Sequence, residues 1–87
     1  GTVSNLMYKQ MNGRLADTLL YIDALKKDNP DIFQLLSRKD IADFAGISTE
    51  SAVKLLKTFE KDGLLKLHDK DIDILDRNLI AEISKRG

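Results

Sequence analysis

The sequence has no cysteine, one proline, one histidine, and no net charge across its 87 residues. Without cysteine there can be no disulfide, thiolate zinc site or cysteine nucleophile. His68 alone cannot build a multi-histidine metal centre. No apolar run approaches the ~20 residues that span a bilayer, and no signal-peptide pattern is visible. These absences point to a soluble, cytoplasmic chain with no membrane partner. There is no glycine-rich phosphate loop, and the carboxylates fall at capping and turn positions, so nothing suggests an enzyme. Fourteen basic residues balance fourteen acidic ones. Domains that grip phosphate are usually basic, so a nucleic-acid role would need the charges sorted by face. The length suits one small domain.

What is present is organised around residues 37–63. Ser37 is placed to cap a helix, with Asp40 three residues on, close to capping-box spacing. Ile41, Ala42, Phe44 and Ala45 give that helix an apolar side. Gly46 suits a left-handed residue ending it, and Ile47 follows as an apolar plug. Ser48 then caps a second helix whose Ala52, Leu55, Leu56 and Phe59 share one face. Gly63 stops it. A helix, a glycine turn and a second helix form the helix-turn-helix pattern. Across residues 37–61, Arg38, Lys39, Lys54, Lys57 and Lys61 stand against Asp40, Asp43, Glu50 and Glu60, a net of +1.

Upstream, residues 3–27 read as one helix with a stripe of Met7, Met11, Leu15, Leu19 and Ile22, widened by Leu6, Leu20 and Leu25. Gly13 inside it marks a bend, or a new helix start capped by Asn12. Asp28-Asn29-Pro30-Asp31 breaks the helix, and the short apolar run 32–36 reads as a strand or the tail of a loop, with a short strand favoured. Downstream, Leu65 and Leu67 alternate with Lys66 and His68. Ile72 and Ile74 alternate with Asp71 and Asp73. Two alternating runs around Asp69-Lys70 predict a hairpin. Asp76 caps a last helix over 77–85, with Leu79, Ile80 and Ile83 inward. The expected fold is mainly α with a small β-hairpin wing, a winged helix-turn-helix.

The ordered set Gly13-Arg-Leu-Ala-x-x-Leu-Leu20, Arg38-Lys-Asp-Ile-Ala-Asp-x-Ala-Gly46, and Ser48-x-Glu-Ser51 with Lys54 resembles the C-terminal DNA-binding domain of Crp-Fnr regulators, relatives of the cyclic-AMP receptor protein. The likeness covers roughly residues 12–76. It implies a recognition helix near residues 49–62 in the major groove of double-stranded DNA. It implies base contacts from Thr49, Glu50, Val53 and Lys54. A glutamate can accept from a cytosine amino group, and a lysine can donate to guanine. Lys54 stands where the family usually has arginine, and Thr49 where many members have a second arginine. Phosphate contacts are implied for Ser37, Arg38, Lys39, Ser48, Ser51, Lys57, His68 and Lys70.

The resemblance also implies a homodimer in the full-length protein, with RNA polymerase a further candidate partner. No cofactor is implied for this domain. A cyclic nucleotide or other effector belongs to an N-terminal sensor domain. Residues 1–11 read as the tail of a dimerisation or linker helix, with Gly1 a tag remnant or cut end and Leu6, Met7 and Met11 exposed, and residues 12–87 as the winged helix. The neutral balance and the acid-flanked wing leave a second reading open: a winged helix that contacts proteins and not DNA.

Overall fold

Each helix of the central pair is bounded by its own side chains. In the computed structural model, which describes residues 2–86 and the side chains of residues 9–86, α3 spans Arg38–Ala45 and α4 spans Thr49–Lys61. Ser37 Oγ accepts from the Asp40 N–H at 3.1 Å, while the Asp40 carboxylate accepts from the Ser37 N–H at 2.9 Å, completing a capping box. Ser48 Oγ accepts from the Ser51 N–H at 3.1 Å and opens α4. Both helices end the same way. Gly46 (φ 72°) and Gly63 (φ 79°) take the left-handed conformation. The next N–H reaches back to the last turn: Ile47 to Ala42 at 3.0 Å, and Leu64 to Phe59 at 2.9 Å. This is the Schellman arrangement, in which a residue without Cβ turns the chain and orphan carbonyls are satisfied.

The remaining elements close around that pair. α1 is Thr2–Leu25, α2 Ile32–Leu35, β1 Leu65–His68, β2 Asp71–Ile74 and α5 Arg77–Arg86. The strands pair antiparallel, Leu65 opposite Ile74 and Leu67 opposite Ile72 on one face, Lys66 opposite Asp73 and His68 opposite Asp71 on the other. The alternation read from the sequence is therefore the division between core and solvent. The turn is Asp69-Lys70, with Asp69 at φ 57°. Asp76 Oδ1 accepts from the Leu79 N–H at 3.0 Å and starts α5. α5 runs back along α1, joined by Arg77 to Asp23 and by Ser84 Oγ to Asp17 Oδ1 at 3.3 Å. Leu15 and Leu19 of α1, Phe33 of α2, Ile41 of α3, Leu56 of α4, Leu65 and Ile72 of the hairpin and Ile80 of α5 meet in one core, each under 2% exposed.

Several expectations are corrected. Residues 32–36 are not a strand. Ile32–Leu35 form one helical turn, with the Leu35 N–H bonded to the Asp31 carbonyl at 3.2 Å. Phe33 is buried and Leu36 half-buried, while Leu35 is exposed. Burial at positions three apart fits a helical period and not an alternating one. Phe44, assigned to the inner side of α3, is 70% exposed. The buried stripe is Ile41, Ala42 and Ala45, and Phe44 lies about 100° around the helix from its centre. Leu79 is partly exposed for the same reason, Ile80 marking the buried line of α5. α1 passes through Gly13 without a break, so Asn12 caps nothing, and α1 ends at Leu25 instead of residue 27. Met11 is half-buried against the core; Leu6 and Met7 lie outside the described side chains.

Candidate nucleic-acid interface

α4 has two opposed faces. Ala52, Leu55, Leu56 and Phe59 are buried. At 100° per residue, Glu50, Lys54, Lys57 and Lys61 point the opposite way, and all four are exposed. Val53 borders them and is half-buried, while Thr49 is exposed. Of the four expected base-contact residues, the fold sets Glu50 and Lys54 on the outward side of α4, Val53 at its edge and Thr49 farther round at the helix start. Lys54 Nζ lies 3.6 Å from Glu50 Oε1, both side chains mostly in solvent. Glu N-terminal to Lys at this spacing is the favourable order, worth only a few tenths of a kcal/mol when exposed. Such a pair opens readily to another partner.

The charge sorting that composition demanded is present locally. Of the four acids in residues 37–61, Asp40 is held in the capping box, where the Ser37 N–H and then its hydroxyl keep the carboxyl below its ordinary range. Asp43 pairs with Lys39 at 3.0 Å, which raises the Lys39 pKa. Glu60 turns off the exposed face, its Oε2 accepting the Leu67 N–H at 2.8 Å. Only Glu50 stays among the lysines. Lys57 and Lys61 form no ion pair among the described residues.

The expected phosphate-contact residues divide into two groups. Ser37 and Ser48 stand exposed at the starts of α3 and α4, with Lys39 beside the first and half-buried Ser51 bonded to the second at 2.9 Å. Lys57 follows on α4. Arg38 belongs to a different arrangement. Its Nη2 donates to the Asp69 carbonyl at 2.9 Å and its Nη1 to the Lys70 carbonyl at 3.5 Å. Half-burial lowers its pKa, and attraction to Asp69 opposes that shift. The wing turn is therefore tied to the first residue of α3. Lys70 is exposed at its tip. His68 Nε2 lies 3.0 Å from Asp73 Oδ2, and Lys26 Nζ lies 3.6 Å from the other oxygen of that carboxylate. His68 thus belongs to a polar cluster on the outer face of the hairpin.

Sequence reasoning missed the long-range ties: Arg38 to the wing, Glu60 to β1, Lys26 to Asp73, and Arg14 Nη1 to the Gly46 carbonyl at 3.5 Å. Each joins separate elements, and periodicity within one element says nothing of such a contact.

Comparison with known proteins agrees with this geometry. Residues 13–83 match the family described as the Crp-like helix-turn-helix domain. The chain is 34% identical over 73 residues to the cAMP-activated global transcriptional regulator CRP of Pasteurella multocida, covering 80% of this chain and 35% of that protein. It is 35% identical over 75 residues to the protein of the same name from Salmonella typhimurium, with the same coverage. It thus spans about a third of the length of these relatives. The crystal structure of Thermus thermophilus catabolite activator protein shares the fold, with a TM-score of 0.76 at 20% identity over 97% of this chain and 38% of that one. With a capped helix pair, a hairpin wing and a match across most of its length, the chain belongs to the Crp-like helix-turn-helix domain family.

Proposed function

We propose that this chain is the sequence-reading DNA-binding domain of a transcription regulator, with α4 seated in the major groove. The observation that carries this reading is the exposed side of α4. It places Glu50 and Lys54 directly opposite the buried side together with Lys57 and Lys61, which form no ion pair among the described residues, while Val53 stands at the edge of that side and Thr49 at the helix start. Glu50 accepts from a cytosine amino group and Lys54 donates to a guanine edge. Ser37, Lys39, Ser48, Ser51 and Lys57 meet phosphates through hydroxyls, charges and the N–H groups of two helix starts. Lys70, with His68 and Arg38 behind it, meets the backbone from the wing.

By the same reading, residues 1–11 are the tail of a pairing helix and two copies read half-sites about one helical turn apart. The effector, a cyclic nucleotide or another signal, acts on a separate domain. RNA polymerase is a further partner, and the cytoplasm is the compartment. A single copy binds weakly, since it makes few phosphate contacts and has no net charge.

The test is a titration of the isotope-labelled chain with a random duplex of roughly 20 base pairs at low salt, followed by amide shifts. Shifts on residues 37–39 and 48–57 that shrink as salt rises support the reading. Absent shifts, or shifts elsewhere, overturn it. One observation favours a second reading, a protein-contact module. An apolar groove of about 390 Å³ is lined by Tyr21, Ile22, Leu25, Ile32, Leu36 and Phe44. Shifts confined to that groove on adding a protein partner, with none on adding DNA, would select it.

A further inference from the structure

Arg38 sits at the junction of two elements that reach DNA independently in the reading above. It is the first residue of α3, immediately after the capping serine. Its guanidinium nevertheless points to the hairpin 31 residues away. Nη2 donates to the Asp69 carbonyl at 2.9 Å, and Nη1 to the Lys70 carbonyl at 3.5 Å. Those two carbonyls belong to the whole of the two-residue turn between β1 and β2. Asp69 is also the one non-glycine residue with positive φ among those described, at 57°. The two-residue hairpin turn imposes that conformation, aspartate bears it at a small steric cost, and contacts to the turn carbonyls help to hold it. Arg38 supplies a planar fork with donors spaced to hold both carbonyls at once. A lysine ammonium is a single point and cannot reproduce that geometry.

We infer that Arg38 is the positioning residue of the wing: it locks the Asp69-Lys70 turn against the start of α3 and thereby aims Lys70 at the same backbone that α3 and α4 approach. The inference rests on the DNA-binding reading for its consequence, but not for its geometry. The two guanidinium donors that have partners are both directed to the turn, and it is this contact, not one to phosphate, that defines the role assigned to Arg38. Helix pair and wing then move as one body.

Arg38→Lys and Arg38→Ala are compared with the unaltered chain, first without DNA. In both variants the amides of Asp69 and Lys70 should gain fast motion in the heteronuclear NOE and exchange about ten-fold faster, while those of Leu65 and Leu67 stay unchanged. Lysine should fail to rescue. A turn as rigid in Arg38→Lys as in the unaltered chain would overturn the inference, because charge alone would then suffice. A turn unmoved even in Arg38→Ala would overturn it as well. Binding to the random duplex across a salt series supplies the second readout. Both variants should weaken binding several-fold, with Arg38→Lys keeping the salt slope of the unaltered chain. A slope lowered by about one in Arg38→Ala alone, with full affinity in Arg38→Lys, is the mark of a direct phosphate contact and would sink the positioning role. If the unaltered chain binds no duplex, the DNA-binding reading fails, and the motion of the turn still decides the role of Arg38.

Discussion

Glu60, in the last turn of α4, accepts the backbone N–H of Leu67 in β1 at 2.8 Å. The outer edge of a two-stranded hairpin presents unpaired N–H groups that invite another strand. Here one of them is taken by a carboxylate from the helix before it. Glu60→Ala should cost about 1 kcal/mol, the net worth of one partly solvated hydrogen bond. Chemical denaturation would measure the loss. The Leu67 amide should lose protection in the same variant, and Glu60→Gln should keep most of it.

The two helix-ending glycines should respond alike for one reason. Gly46 and Gly63 have φ of 72° and 79°, where a Cβ meets the carbonyl oxygen of its own backbone. A Cβ at Gly46 would come no closer than 3.8 Å to the Arg14 guanidinium, and one at Gly63 would meet nothing within 4 Å. Space is not the obstacle, so each Gly→Ala change should destabilise by about 1–2 kcal/mol through backbone conformation alone. Similar shifts of both denaturation midpoints would bear this out. A much larger loss at Gly46 would point to the Arg14 contact instead.

Ser37→Ala removes the hydroxyl that caps α3 and should cost about 1 kcal/mol. The capping box also sets a pH dependence. Asp40 has a native pKa below its unfolded value because the Ser37 N–H and hydroxyl favour the carboxylate. Its stabilising contribution is therefore complete above the unfolded aspartate pKa and fades as pH falls through the lower native one. The stability difference between the unaltered chain and Asp40→Asn should be widest near neutral pH and shrink in that acidic window. Thermal melts at stepped pH would show it.

Asp23 is 8% exposed and pairs with the more open Arg77, linking α1 to α5. Removing the arginine strands a carboxylate in a poorly hydrated place. Arg77→Ala should cost about 1–3 kcal/mol, and Asp23→Asn with Arg77→Ala should recover part of it. A double-mutant cycle by denaturation gives the coupling.

For DNA, Lys54→Ala should cost about 1–3 kcal/mol at a selected site and relax preference at one base pair. Lys57→Ala should weaken specific and random duplexes alike. Competition binding with a panel of single-base variants separates the two. Equal losses on all sequences from Lys54→Ala would remove it from the base-reading set.

How much of this was legible beforehand depended on distance along the chain. Ser37, Gly46, Ser48 and Gly63 act on backbone groups within five residues, and capping chemistry named them all. The hairpin face, Leu65 and Leu67 against Ile72 and Ile74, follows from period two. The five apolar or neutral residues from 32 to 36 were too few to tell a strand from a helical turn. Phe44 and Leu79 fall next to buried residues on their helices, and sequence spacing alone cannot say how narrow a buried stripe will be. The candidate base-reading residues of α4 came from resemblance; the fold sets Glu50 and Lys54 outward and leaves Val53 and Thr49 nearer the buried side. The hold of Arg38 on the wing has no local signal, since it spans 31 residues and ends on backbone oxygens that every residue carries.

α1 has a mechanical consequence. It runs unbroken from Thr2 to Leu25, a shaft about 36 Å long at 1.5 Å per residue. Leu15 and Leu19 fix its second half in the core, and Arg14 touches the carbonyl of the turn that joins α3 to α4. Pivoted near Leu19, a tilt of about 10° swings the Thr2 end by roughly 4 Å while barely moving Ile22. Read in reverse, a push of a few ångströms at the far end arrives at Arg14 geared down to a fraction of its size. A lever of that shape would trade travel for fine adjustment, and Arg14 meets the α3–α4 turn at the Gly46 carbonyl.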